Sequence, residues 1–140
     1  MKRLVALLVI SLVPAALSAQ GAKPAAPKIP AGAVGTWEGK SMVGPKDSVI
    51  TTTKTVVGAD GKIEVTMAGR PTMTAKLIAA GGDSVVYEIG PYDSILKKGL
   101  KATTRSTTHF SGNSSTGTFE AKYSDGSVAK GKVAATKAAK

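Results

Sequence analysis

The stretch SVITTTKTVVGADGKIEVTM, residues 48–67, decides the fold. Its first half is β-branched at nearly every position from Val49 to Val57. Its second half alternates, with Ile63, Val65 and Met67 set against Lys62, Glu64 and Thr66. A period of two places these two sets on opposite faces of a strand, and β-branched residues fit a pleated, half-buried surface. Between the halves, Gly58-Ala59-Asp60-Gly61 has the chemistry of a tight Asp-Gly hairpin turn. The stretch is therefore a β-hairpin with one apolar face that needs cover.

The same grammar extends both ways. A strand over 34–43 and a Gly-Pro-Lys-Asp turn at 44–47 precede the hairpin. After the turn at 68–71 come a strand over 72–79, the Gly81-Gly82-Asp83 turn and a strand over 84–89. The longest connection, 90–99, carries Pro91 and Asp93 early, Lys97-Lys98 late and Gly99 at its end, the signals of one short helical turn. Strands over 100–110, 115–123 and 127–133 follow, separated by turns at 111–114 and 124–126. The expectation is all-β: a single eight-stranded antiparallel up-and-down barrel, a meander, with one short helical turn between the fifth and sixth strands. Closure is favoured over a sandwich because it removes exposed strand edges. A chain without cysteine has no disulfide to offset such edges and must rely on a hydrophobic core.

Alternating strand directions put the turns at 58–61, 81–83 and 111–114 at the end where the first strand begins. That end should be closed, near Trp37, and the mouth should lie near 91–98. Residues expected to face inward include Trp37, Gly39, Ile63, Val65, Met67, Met73, Leu77, Val85, Tyr87, Ile89, Gly117, Phe119, Ala121 and Tyr123. Several of these are small, which favours some space inside an eight-stranded barrel.

The flanks read differently. Met1-Lys2-Arg3 is basic, Leu4 to Val13 is an apolar run broken by Ser11, and Pro14 to Ala19 is mostly small. This is the order of a secretory signal over 1–19, with cleavage after Ala19. An apolar run of that size is well short of the roughly 20 residues that span a bilayer. Residues 20–33 hold three prolines and no periodicity and read as a linker. The barrel is expected over 34–133, and a Lys/Ala tail over 134–140. Secreted or periplasmic location follows, with no membrane span.

The net charge is +10, yet it lies mostly at the ends. Between Val34 and Gly126, nine lysines with Arg70 and Arg105 nearly balance the nine carboxylates. A nucleic-acid binder would carry a basic stripe with interleaved aromatics on the fold itself. No nucleic-acid partner is expected; the basic termini would at most be drawn to anionic envelope surfaces.

Gly35-Thr36-Trp37 at the head of the first strand resembles the Gly-x-Trp signature that opens lipocalin- and avidin-like (calycin-type) barrels. The resemblance covers this tripeptide and the eight-strand plan. It implies that Trp37 plugs the closed end and that the interior takes a small ligand. The departures matter too. Avidins line their site with several tryptophans and this chain has one, which argues against biotin. Lipocalins carry a late Arg or Lys packed over the signature Trp; Lys130 and Lys132 read as facing out, which leaves Arg105 to substitute.

Chemistry is sparse. The single His109 lies on one face of 100–110 with Lys101, Thr103, Arg105 and Thr107. One histidine without cysteine does not build the common zinc sites. The GSVAKGK stretch, 126–132, has phosphate-loop spacing, but Val133 stands where Ser or Thr would hold magnesium. No enzyme, cofactor or metal site is expected. Arg105 either faces outward as a solvated charge or faces inward to cap Trp37 or hold a ligand carboxylate. The candidate ligand-binding residues are Trp37, Tyr87, Arg105, Phe119 and Tyr123. The leading expectation is a secreted or periplasmic barrel that binds or carries a small apolar or amphipathic molecule. The alternative is an envelope structural or interaction protein with a filled core.

Overall fold

Eight strands follow in sequence order: β1 (Gly35–Val43), β2 (Ser48–Val57), β3 (Ile63–Met67), β4 (Met73–Gly81), β5 (Ser84–Asp93), β6 (Lys101–Ser111), β7 (Ser114–Tyr123) and β8 (Val128–Lys137). They are seen in a computed structural model that describes residues 27–140; the signal sequence read over 1–19 and the start of the linker lie outside the described residues. Each strand pairs antiparallel with the next, and β8 pairs with β1, so the meander closes as a barrel. The hairpin read from 48–67 forms as expected, with Gly61 N–H donating to the Gly58 carbonyl at 3.1 Å. Asp60 Oδ1 accepts from Lys62 N–H at 3.0 Å, the local bond that suits Asp to such a turn.

Inside and outside follow the alternation. Ile63, Val65, Met67, Val85, Tyr87, Ile89, Phe119, Ala121 and Tyr123 are all buried. Bulges shift the pattern in three places: at Ser41/Met42, Leu77/Ala79 and Ile89/Tyr92. The second moves Ala79 outside and packs Ala80 against the core, where unbroken alternation puts Ala79 within. An extra residue in one strand flips every side chain beyond it.

Three boundaries differ from the sequence reading. The helical turn expected between the fifth and sixth strands is not a helix. Instead, β5 runs on to Asp93 and the connection is an irregular loop. Ser94 N–H donates to the Leu100 carbonyl at 2.8 Å, and Lys97 N–H to Ser94 Oγ at 2.9 Å. The first closes the loop across its base; the second is of the kind that caps a helix, but only one turn bond follows it, from Leu100 N–H to the Lys97 carbonyl at 3.2 Å. A 3-10 turn stands instead at Ala31–Ala33, within the expected linker. There Ile29 and Ala33 are buried in the core, so the folded unit begins before residue 34. At the other end β8 continues to Lys137 and pairs with β1 through Trp37↔Lys137. Residues 134–137 are thus a closing strand, and Ala134 and Ala135 lie so close beside Gly39 that any Cβ there would collide with them.

Candidate functional site

The closed end is built on Trp37. Its indole N–H donates to the Ala33 carbonyl at 2.8 Å, so the 3-10 turn is tied across the barrel bottom. Phe110 meets the indole edge-on at 4.8 Å between centroids. Lys137, on the inward parity of β8, places its ammonium 5.3 Å from the centroid of the Trp37 ring. A Cβ on Gly35 would stand 2.7 Å from Lys137 Cε, and Gly35 has φ +138°, so only glycine fits at the head of β1. The cation expected over the tryptophan is therefore Lys137, and Arg105 does not take that place.

Above this floor lies an interior cavity of about 70 Å³. Apolar side chains from several strands line it, with Val65, Met67, Ile89, Phe110, Phe119 and Val133. Among them stand hydroxyls from opposite strands of the barrel, Thr51, Thr53 and Thr55 on β2 and Thr104, Ser106 and Thr108 on β6, with Ser41 and Ser115. Tyr87 and Tyr92 add two phenols, and no carboxylate, amine, guanidinium or imidazole lines the space. Burial pushes the Tyr87 phenol above its ordinary range, opposed by hydrogen bonding with Thr55, Ser106 and Thr108. Tyr92 is shifted the same way by burial, opposed by Thr104, whose Oγ1 lies 2.6 Å from the phenol oxygen.

The mouth lies at the opposite end. Ile95 and Tyr92 line the cavity from that end, where the sequence leads one to expect an opening near Tyr92 to Leu96. Two cations cover aromatic rings around it. The Arg70 guanidinium stands 5.9 Å from the Tyr92 centroid and donates to the Asp93 carbonyl; the Lys97 ammonium stands 4.8 Å from the Tyr123 centroid.

Of the residues singled out from sequence, Trp37, Tyr87 and Phe119 line the cavity together. Tyr123 is buried in a second cluster with Ala102, Ala121 and Phe119 but does not line it. Arg105 stands on the outer wall, ion-paired with Glu88 at 3.1 Å, so the inward alternative does not occur. The register explains this: Arg105 shares parity with Lys101 and His109, and two further ionisable groups on one face turn that face to water. The same argument exposes what the sequence reading missed, since the opposite face, Thr104, Ser106 and Thr108, must then be the interior one.

His109 Nδ1 lies 2.7 Å from Ser84 Oγ and 3.5 Å from Asp83 Oδ1. Serine and aspartate meet the same ring nitrogen, whereas a nucleophilic triad places the imidazole between them, one on each nitrogen. The Ser84 hydroxyl instead bridges to Asp83 Oδ1 at 2.9 Å, and these contacts hold the Asp83 carboxyl below its ordinary range. Among the described residues, no three His, Cys, Asp or Glu side chains gather in a metal-binding group, and no helix is long and apolar enough to cross a membrane.

Comparison of the chain with protein-family models, curated proteins and solved structures returned no match. The barrel is consistent with a calycin-like architecture at the level of strand number and order.

Proposed function

We propose that this barrel binds a small uncharged molecule, amphipathic in character, in the space between the Trp37 floor and the Tyr92–Ile95 mouth. The observation that supports the reading is the cavity wall, in which many hydroxyls are interspersed with apolar side chains. Buried hydroxyls cost free energy unless they are hydrogen-bonded. A core serving stability alone is better filled by Val, Ile and Leu. Thr55, Ser106 and Thr108 already hydrogen-bond with Tyr87, and their remaining capacity, with Thr53 and Ser115, offers polar contacts to a guest whose apolar parts meet Met67, Ile89 and Phe119. No charged side chain faces the space, so the wall favours a neutral ligand over a carboxylate or an amine.

The cavity also bounds the guest. About 70 Å³ lies well below the roughly 300–1,000 Å³ of drug-sized sites. It suits a ligand of few heavy atoms, or one end of a longer molecule that displaces Ile95 at the mouth. This narrowness is also what favours the second reading, a secreted or periplasmic interaction protein whose barrel is nearly filled.

Native mass spectrometry of the protein purified from its own host without detergent separates the two. A reproducible added mass that disappears in a Ser106→Val, Thr108→Val variant supports the chamber. A clean apo mass, or an adduct unaffected by that variant, removes it in favour of the interaction reading.

A further inference from the structure

The large apolar side chains that stand exposed among the described residues are Val49, Leu96 and Val128, at 53 %, 42 % and 45 %. All three belong to the mouth end. Val49 follows the turn at 44–47, Leu96 rides on the loop between β5 and β6, and Val128 opens β8. The loop carrying Leu96 is tied to the turn before Val128, because Lys97 Nζ donates to Ser127 Oγ at 2.5 Å.

The same end carries Lys46, Arg70, Lys97, Lys98 and Lys101. Its aspartates are engaged. Asp93 pairs with Lys101 at 2.6 Å and Asp47 with Lys132 at 3.0 Å. Asp125 accepts from the Ser127 hydroxyl at 2.5 Å and from its backbone N–H at 2.9 Å. Lys46 and Lys98 have no ion pair among the described residues. The hairpin turns at the closed end carry Asp60 and Asp83 and none of the exposed large apolar side chains. The closed end also carries cations without an ion pair among the described residues, Lys28, Lys137 and Lys140, so what sets the mouth apart is that exposed apolar side chains stand there among its cations.

We propose that the mouth end docks on an anionic lipid bilayer, with Leu96 and Val128 entering the interface and Lys46 and Lys98 meeting the headgroups. Charge complementarity selects an anionic surface, and the apolar tips select one with a hydrocarbon side. Neither signal alone holds a protein at a membrane; the pair is the combination that does. A polyanion in solution would use the lysines but has no use for the leucine and valine. The docking does not depend on the chamber holding a ligand.

The chain has no cysteine, so single Leu96→Cys and Ala59→Cys variants can carry an environment-sensitive fluorophore at the mouth and at the closed end. The probe is phosphatidylcholine vesicles with about one third phosphatidylglycerol in about 0.1 M salt. The expected result is a blue shift at position 96 and none at position 59, absent on pure phosphatidylcholine. Lys46→Gln with Lys98→Gln should weaken vesicle partition roughly 25-fold, about five-fold per lysine. Both sites lie in exposed turns, and Trp37 fluorescence reports that each variant is folded. Equal responses at the two labels would overturn the proposal by showing that docking is not through the mouth. So would a shift indifferent to the lysines, or a Leu96→Ser, Val128→Ser variant that binds vesicles and a soluble sulfated polysaccharide as tightly as the parent.

Discussion

The Lys137 ammonium lies 5.3 Å from the centroid of the Trp37 ring, although a hundred residues of barrel separate them in the chain. The two residues are cross-strand partners in the β1–β8 ladder that closes the sheet. The pair joins the first strand to the last at the end where the indole is also held by Ala33. Closure and plugging are thus one local arrangement, and Gly35 is the residue that leaves room for it.

Replacing Lys137 separates its charge from its stem. Lys137→Met keeps an unbranched chain against the indole and should cost about 0.5–1 kcal/mol, the range of an exposed cation–π contact. Lys137→Ala also uncovers the indole and should cost more, because a lysine stem covers apolar surface as well as bearing charge. Urea denaturation followed by Trp37 emission measures both. Equal losses in the two variants would show that the charge contributes and the stem does not.

Deleting residues 134–140 tests the closing strand. It removes the β1 partners from Lys40↔Ala134 to Trp37↔Lys137 and also the β7 partners from Thr116↔Ala134 to Ser114↔Thr136. Two edges would then be open at the plugged end, and edge strands invite association. The truncated chain should lose its cooperative thermal transition or associate, as seen by light scattering. A monomer with unchanged melting would mean that these pairs add little.

Much of this fold was legible because its code is local. The 48–67 hairpin, the glycine turns and the alternating 62–67 and 115–123 segments each specify strand, turn and face within a few residues. What stayed hidden depends on distant neighbours. Ala134 to Lys137 reads as a tail until β1 lies beside it. Ala31 to Ala33 reads as linker until Trp37 needs an acceptor. Strand 100–110 was ambiguous because threonine and serine suit either face, and only the shared parity of Lys101, Arg105 and His109 resolves it. That ambiguity concealed three of the cavity's hydroxyls, Thr104, Ser106 and Thr108, which come from β6.

The Tyr87 phenol gives the barrel an alkaline limit. Burial raises its pKa above the ordinary value of about 10, so the folded chain keeps this proton to higher pH than the unfolded chain does. The stability tied to it is fully present below about pH 10 and is lost as pH rises through the folded value. Tyr87→Phe removes the titrating group and should flatten the alkaline fall in melting temperature. An unchanged slope in that variant would assign the limit to other groups.

The hydroxyl pair of Tyr92 and Thr104, 2.6 Å apart and partly buried, stands where the β5–β6 ladder resumes after its bulge. Gly90 and Pro91 fall outside the paired register, which picks up again at Tyr92↔Ala102. A Cβ on Gly90 would meet the Ala102 carbonyl oxygen at 2.6 Å, so the backbones are already as close as they can be there. The hydroxyl bond therefore fixes how the end of β5, and with it the mouth loop, sits on β6. Thr104→Val keeps the shape and leaves the Tyr92 phenol without this partner, at a cost of about 1–3 kcal/mol for an unsatisfied buried group. Tyr92→Phe leaves the Thr104 hydroxyl in the same state, whereas the double variant removes both groups. The double variant should then be destabilised by less than the sum of the singles, with a coupling of about 0.5–1.5 kcal/mol, and Thr104→Ser, which keeps the hydroxyl, should lose little of it. Strict additivity in the cycle would mean that each hydroxyl is satisfied by water at the mouth, and the loop would then be held by its other contacts, the Ser94–Leu100 and Lys97–Ser127 bonds and Ile95 packing.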